Sequence, residues 1–259
     1  MDFPKVIAHR GVSSLAPENT IAAFSKCIEV GVPTFEFDVD IMGDGTLIVI
    51  HDDKFDRTTN GKGGFYNKGF SDLRKLDAGG WFSRQYRFEP VPELASVVSL
   101  MSSAQLDANL EIKPCRGGTR LRDALVEGIS VSLRELDADR QLLISSFDLE
   151  LLQGVRSIMP QAHLACLYDP SEDFLVSPGE ERVDAWIRHA KTLGAEAIHP
   201  SFESLREHEV ERMRDAGFDV NVWTVNEVSR AVELAQWGAN AVITDRPQDF
   251  PEEVRQQRL

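Results

Sequence analysis

Short runs of β-branched and aromatic residues alternate with amphipathic stretches along most of the chain, and this rhythm constrains the fold more than any other property of the sequence. Strands are predicted near residues 6–9, 34–39, 108–112, 141–145, 163–167, 195–199, 219–223 and 241–244. Helical periodicity fills the intervals, over 19–30, 92–102, 121–136, 149–158, 181–193, 204–216 and 228–237. In the first of these Ile21, Phe24 and Ile28 share a face, and Gly31 supplies a stop. Eight strands separated by helices predict an α/β fold of the (β/α)8, or TIM-barrel, type over an open doubly wound sheet. A length of 259 residues suits one such barrel as a single domain spanning 1–259.

Residues 46–50 break the rhythm. They follow the second strand after only Gly43-Asp44-Gly45, too short a link for the crossover that parallel strands need. This run is expected to fold back as an extra hairpin strand that delivers His51 to the barrel mouth from the side. Beyond it come Gly61-Lys62-Gly63-Gly64, Gly69 and Gly79-Gly80, and the segment of about 54–91 reads as a small cap insertion. Phe65, Tyr66, Trp81 and Phe82 are expected to form its own minor core.

Composition narrows the partners. A net charge of -14, without a Lys/Arg cluster, argues against nucleic acid. Cys27, Cys115 and Cys166 are odd in number and far apart, so they are expected as buried apolar residues and not as a disulfide framework or thiolate metal site. Residues 1–7 lack the basic and apolar start of a signal peptide, and no apolar run approaches the roughly 20 residues that span a bilayer. A cytoplasmic protein without stable membrane insertion is expected, and homo-oligomerisation stays open.

In a barrel of this kind chemistry gathers at the C-terminal ends of the strands. The polar residues there are His9-Arg10-Gly11, Glu36 and Asp38, Glu111 and Lys113, Ser145-Ser146, Trp223, and Thr244-Asp245-Arg246. Glu36 and Asp38, two apart on a strand, point to one face, and like charges so placed demand a cation or protons. With Glu111 on the next strand they form a set of hard oxygen ligands suited to Mg2+ or Ca2+. Asp40 continues the alternation but is expected to face solvent at the turn. His9 and His51 suit proton transfer on either side of a phosphodiester, and Arg10 and Lys113 suit its nonbridging oxygens. A structural hydrogen bond or ion pair is the competing reading for each. His163, His189 and His208 read as structural, and His199 as lining the substrate lip.

Read together, Ala8-His9-Arg10-Gly11, Pro17-Glu18-Asn19-Thr20, Glu36-Phe37-Asp38-Val39, His51-Asp52 and Arg57-Thr58-Thr59-Asn60-Gly61 resemble the glycerophosphodiester phosphodiesterase family of phospholipase-C-like barrels. The resemblance continues through Glu111-Ile112-Lys113-Pro114, Ser145-Ser146-Phe147, Val222-Trp223-Thr224-Val225-Asn226 and Thr244-Asp245-Arg246-Pro247. It implies hydrolysis of a small-molecule glycerophosphodiester to sn-glycerol 3-phosphate and an alcohol. It further implies a divalent ion on Glu36, Asp38 and Glu111, His9 and His51 as the acid/base pair, and Arg10 and Lys113 on the phosphate, with Trp223 against the substrate. Asn19 reads as a helix N-cap, with Glu18 supporting His9 or the ion's ligands. A lysophospholipase D under a more apolar cap is the nearest alternative, and a silent binding protein or a sugar-phosphate isomerase on the same architecture are more distant ones.

Overall fold

A computed structural model describes residues 5–169 and 181–258. Its strands are β1 (Lys5–Ala8), β2 (Thr34–Ile41), β3 (Leu47–Val49), β4 (Asp107–Ile112), β5 (Leu142–Ser146), β6 (His163–Tyr168), β7 (Ala197–Pro200), β8 (Asp219–Val222) and β9 (Ala241–Thr244). Eight of them run parallel in the order β1-β2-β4-β5-β6-β7-β8-β9, and β9 pairs back onto β1 with Ala8 opposite Thr244. The ring is therefore a closed (β/α)8 barrel. β3 stands outside it, antiparallel to β2 with Val39 opposite Val49, as the short Gly43-Asp44-Gly45 link requires.

The helices are α1 (Ile21–Val30), α2 (Phe70–Leu73), α3 (Leu94–Ala104), α4 (Thr119–Ser132), α5 (Leu149–Ile158), α6 (Arg182–Leu193), α7 (Glu207–Asp215), α8 (Val228–Gln236) and α9 (Glu252–Arg255). The main core lies between barrel and helices. There Phe35 and Phe37 of β2 meet Phe24 of α1, with ring centroids 4.5 and 5.9 Å from that of Phe24. Because side chains alternate along a strand, this outward apolar face sends Glu36 and Asp38 inward, where both are buried. Inside the barrel Ile7, Ala241 and Ile243 form a separate apolar cluster against Trp223. All three cysteines are buried and unbridged.

Two expectations about the helices change, the first of them at α1. Its N-cap is Thr20, whose hydroxyl accepts from the Ala23 amide at 3.2 Å, and Asn19 lies outside the helix at a φ of 58°. The predicted helix over 121–136 is α4 followed by a 3-10 turn, Leu133–Glu135.

Between β3 and α3 a second apolar cluster joins Met42, Ile48 and Ile50 of the hairpin to Phe55, Phe65, Leu73, Ala78 and Val91. The expected quartet of aromatics divides. Phe65 and Tyr66 belong to this cluster, whereas Trp81 and Phe82 pack edge to face with each other, and Phe82 with Tyr86, outside it. The segment rests on the hairpin turn so closely that a Cβ at Gly43 would lie 2.4 Å from the Tyr66 carbonyl oxygen, while the Gly43 amide donates to Phe65. Gly43→Ala is therefore expected to cost about 1–3 kcal/mol, as overpacking does. Thermal unfolding checks this, and an unchanged melting temperature would show that the segment yields freely. Among the described residues no helix is long and apolar enough to cross a membrane.

Candidate active site

The C-terminal rim of the barrel encloses a cavity of about 270 Å3. His9, Arg10, Glu36, His51, Glu111 and Lys113 line one side of it, and Phe147, Leu167, Asp169 and Trp223 line the other. Asp38 is buried beside this floor without lining it. A larger groove of about 740 Å3, lined by Leu133, Leu136, Leu142 and Leu143 together with polar residues such as Arg140 and Asp219, opens at the opposite rim, the end that does not carry chemistry in such barrels.

One carboxylate oxygen each from Glu36, Asp38 and Glu111 lies within 4.8 Å of the others, a group able to hold a metal ion. Burial, then Asp38 and Glu111, push the Glu36 carboxyl well above the carboxylate range, and Arg10 offsets only part of this. Asp38 behaves oppositely. Burial opposes its ionisation, but Lys113 and Arg10, with His51 and Asn19, hold it well below that range. Lys113 Nζ stands 3.2 Å from Asp38 Oδ1 and donates to Glu111 Oε1 at 2.5 Å. Burial also works against the charges of Arg10 and Lys113, yet the surrounding carboxylates keep both cations above their ordinary ranges. Even so, among the described residues Glu36 Oε1 is buried without a hydrogen-bond donor, and Asp38 Oδ1 has only the ion pair with Lys113. Native interiors rarely leave such oxygens unpaired, and hard oxygen donors converging on one point fit a divalent cation.

Each histidine is oriented by a carboxylate. His9 Nδ1 donates to Asp245 Oδ1 at 2.7 Å, leaving Nε2 turned inward, 3.9 Å from Glu36 Oε2. Asp245 is fixed by Ser13 Oγ at 3.0 Å and Asn226 Nδ2 at 2.8 Å. Burial would raise the Asp245 carboxyl, but its bonds to His9 and Asn226 hold it below the usual range. His51 Nδ1 donates to Asp52 Oδ1, also at 2.7 Å. Burial lowers the His51 imidazole, against the pull of Asp38. Asp52 is kept ionised first by the Arg57 guanidinium, whose Nε and Nη2 both donate to it at 2.8 Å.

The first loop does more than the sequence suggested. Asn19 clamps Asp38, donating from Nδ2 at 2.7 Å and accepting from the Asp38 amide at 3.1 Å. Glu18 supports neither His9 nor the carboxylate group directly, but accepts from Arg10 Nη1 at 2.8 Å and from Arg57. The Arg10 amide, at a φ of 54°, donates to Glu36 Oε2 at 2.9 Å. Two further expectations are corrected. Asp40 does not face solvent: β3 and Tyr66 cover it, and the Tyr66 hydroxyl donates to it at 2.6 Å. Burial pushes its carboxyl up to about 6. His199 does not line the cavity; it is fully buried against Asn221, and burial drives its imidazole down to about 3. Trp223 does line it, with its indole N–H on the His199 carbonyl at 2.8 Å and its ring edge-on to Phe147 at 5.6 Å.

The model of the Glycerophosphoryl diester phosphodiesterase family matches residues 9–249. The chain is 33% identical over 250 residues to the glycerophosphodiester phosphodiesterase of Caldanaerobacter subterraneus subsp. tengcongensis, covering 96% of this chain and 97% of the relative. Among solved structures, the Oleispira antarctica phosphodiesterase in complex with its product sn-glycerol-3-phosphate superposes with a TM-score of 0.86 at 31% identity, over 95% of each chain. A glycerophosphodiester phosphodiesterase from Agrobacterium tumefaciens gives 0.74 at 28%, over 95% of this chain and 97% of the other.

Proposed function

Because the chain belongs to the glycerophosphoryl diester phosphodiesterase family, and so is a phosphoric diester hydrolase, we propose that it cleaves glycerophosphodiesters to sn-glycerol 3-phosphate and an alcohol by two-histidine acid/base catalysis assisted by a divalent ion. The observation that carries this reading is the meeting, around one small cavity, of three carboxylates, two buried cations and two histidines each backed by an aspartate.

Glu36, Asp38 and Glu111 would hold the ion, Mg2+ or Ca2+ by the hardness of its donors. When bound it supplies Lewis-acid polarisation of the phosphate and of the hydroxyl that attacks it. Arg10 and Lys113 line the cavity and offset charge on the nonbridging oxygens as the phosphorane-like transition state forms. With Nδ1 of each ring committed to an aspartate, Nε2 is the atom left for proton exchange. One histidine takes the proton of the attacking glycerol 2-hydroxyl, giving a cyclic phosphate, and the other protonates the leaving alkoxide. Water then opens the ring. Trp223 and Phe147 offer an apolar wall to the carbon skeleton of the substrate. In this reading residues 1–259 act as one catalytic domain, with about 54–91 as its cap, and its three unbridged buried thiols suit a cytoplasmic setting.

Release of glycerol 3-phosphate from glycerophosphocholine and glycerophosphoethanolamine, in EDTA and then with Mg2+ or Ca2+ restored, tests the proposal. Turnover is expected to vanish and to return with one ion. Rates untouched by exhaustive chelation would remove the ion from the mechanism, and no glycerol 3-phosphate under either ion would remove the reaction.

A further inference from the structure

We infer that Arg57 is a positioning residue for His51, acting through Asp52, and that Glu18 ties this arm to Arg10. The inference rests on the two-histidine reading above. His51 lies two residues beyond β3, a strand of three residues outside the barrel, whereas His9 directly follows barrel strand β1 with its amide on the Thr244 carbonyl at 2.8 Å. The His51 ring is aimed by Asp52, the next residue in the chain and itself partly exposed. Such a carboxylate orients a histidine only if something orients the carboxylate.

Arg57 does so from both edges of its guanidinium. Nε and Nη2 grip the two oxygens of Asp52, each at 2.8 Å, while Nη1 and Nη2 grip the two oxygens of Glu18 at 2.7 and 2.8 Å. Glu18 in turn takes Arg10 Nη1 at 2.8 Å. A continuous chain, Arg10-Glu18-Arg57-Asp52-His51, thus joins the phosphate-facing cation of the first loop to the histidine on the side strand. Only a planar fork of five N–H groups can serve two carboxylates in this way; a lysine ammonium cannot. Among the described residues His9 has no such tether, since the other side chains bonded to Asp245 are the neutral Ser13 and Asn226. A tie that merely fastened the β3–α3 segment to the first loop would change stability and leave the chemical step alone.

The test compares kcat and KM for the parent, Arg57→Ala, Asp52→Asn and the double variant, with and without added guanidinium ion. Arg57→Ala is expected to lower kcat by about 10–100-fold, the usual effect of losing the partner that orients a site ligand, with KM within about twofold. Guanidinium should restore part of the rate, because Arg57 is partly open to solvent. The double variant should be no slower than Asp52→Asn alone, since residues acting through one another are not additive. Parental kcat in Arg57→Ala, or losses that multiply in the double variant, would overturn the inference. Should Arg57→Ala fail to fold, Arg57→Lys serves instead: it can keep one ion pair but not the double fork, and unchanged kcat there overturns the inference equally. If the parent itself releases no glycerol 3-phosphate, the proposed function fails but positioning is still read directly. Nitrogen-15 NMR of the His51 ring should show a fixed Nδ1–H in the parent and tautomer exchange in the Arg57 variant, and an identical ring signal in both would sink the idea.

Discussion

Replacing either His9 or His51 by alanine is expected to lower kcat by about two orders of magnitude or more, the range seen when a proton-transfer group is lost, while the protein stays folded. The fold should survive because neither substitution leaves its aspartate stranded. Asp245 keeps Ser13 and Asn226, and Asp52 keeps Arg57. Thermal unfolding alongside steady-state kinetics checks both halves of the expectation. A substrate with an acidic leaving group such as p-nitrophenol then separates the two roles, since such a leaving group departs without a proton. Whichever variant recovers on it has lost the general acid. A variant with near-parental turnover of glycerophosphocholine would take that histidine out of the mechanism.

Asp38→Asn and Glu36→Gln should move the stability of the ion-free protein in opposite directions, although the residues are two apart and would hold the same ion. Asp38 lies between Lys113 at 3.2 Å and Arg10 Nε at 3.4 Å, with Asn19 clamping it from behind. Removing its charge leaves two buried cations short of a partner, a loss of about 3–5 kcal/mol by comparison with other broken buried pairs. Glu36 instead suffers burial and the repulsion of Asp38 and Glu111, so a neutral amide of nearly the same shape relieves a strain and can still accept from the Arg10 amide. In EDTA, Asp38→Asn is expected to melt well below the parent and Glu36→Gln at or above it. Both should lose the rise in melting temperature expected if Mg2+ or Ca2+ binds the native state alone. Equal destabilisation by the two substitutions would mean that the cluster is not polarised as the distances indicate.

The barrel was legible because its strands are short apolar runs with sharp ends. Residues 241–244 form a strand as predicted, and 34–39 and 163–167 extend by only one or two residues. The floor of the cavity was legible for a similar reason: Phe35, Phe37 and Val39 demand an outward face, and that alone turns Glu36 and Asp38 inward. What escaped was set by partners far away in the chain. Asp40 obeys the same alternation, yet its burial depends on a hairpin and on Tyr66, 26 residues later. Asn19 is a good capping residue by type, but Thr20 takes the cap and frees Asn19 for Asp38. A threonine immediately before the apolar Ile21 was a local signal for that choice. No local signal marks Asp245 as the residue that aligns His9, because that bond joins loops 236 positions apart; Arg57 lies only five residues from Asp52, but its other carboxylate, Glu18, is 39 positions away.

The bond between His9 and Asp245 spans 236 positions of sequence and lies where β1 and β9 close the ring. During synthesis, therefore, a nascent chain emerged only as far as β8 already carries both histidines, all three acidic residues of the cluster, Arg10 and Lys113, but His9 has no aspartate to aim it and the ring has an open seam. If His9 acts as proposed, the first competent turnover waits for the ninth strand, and its onset on the ribosome would time the closure of the barrel.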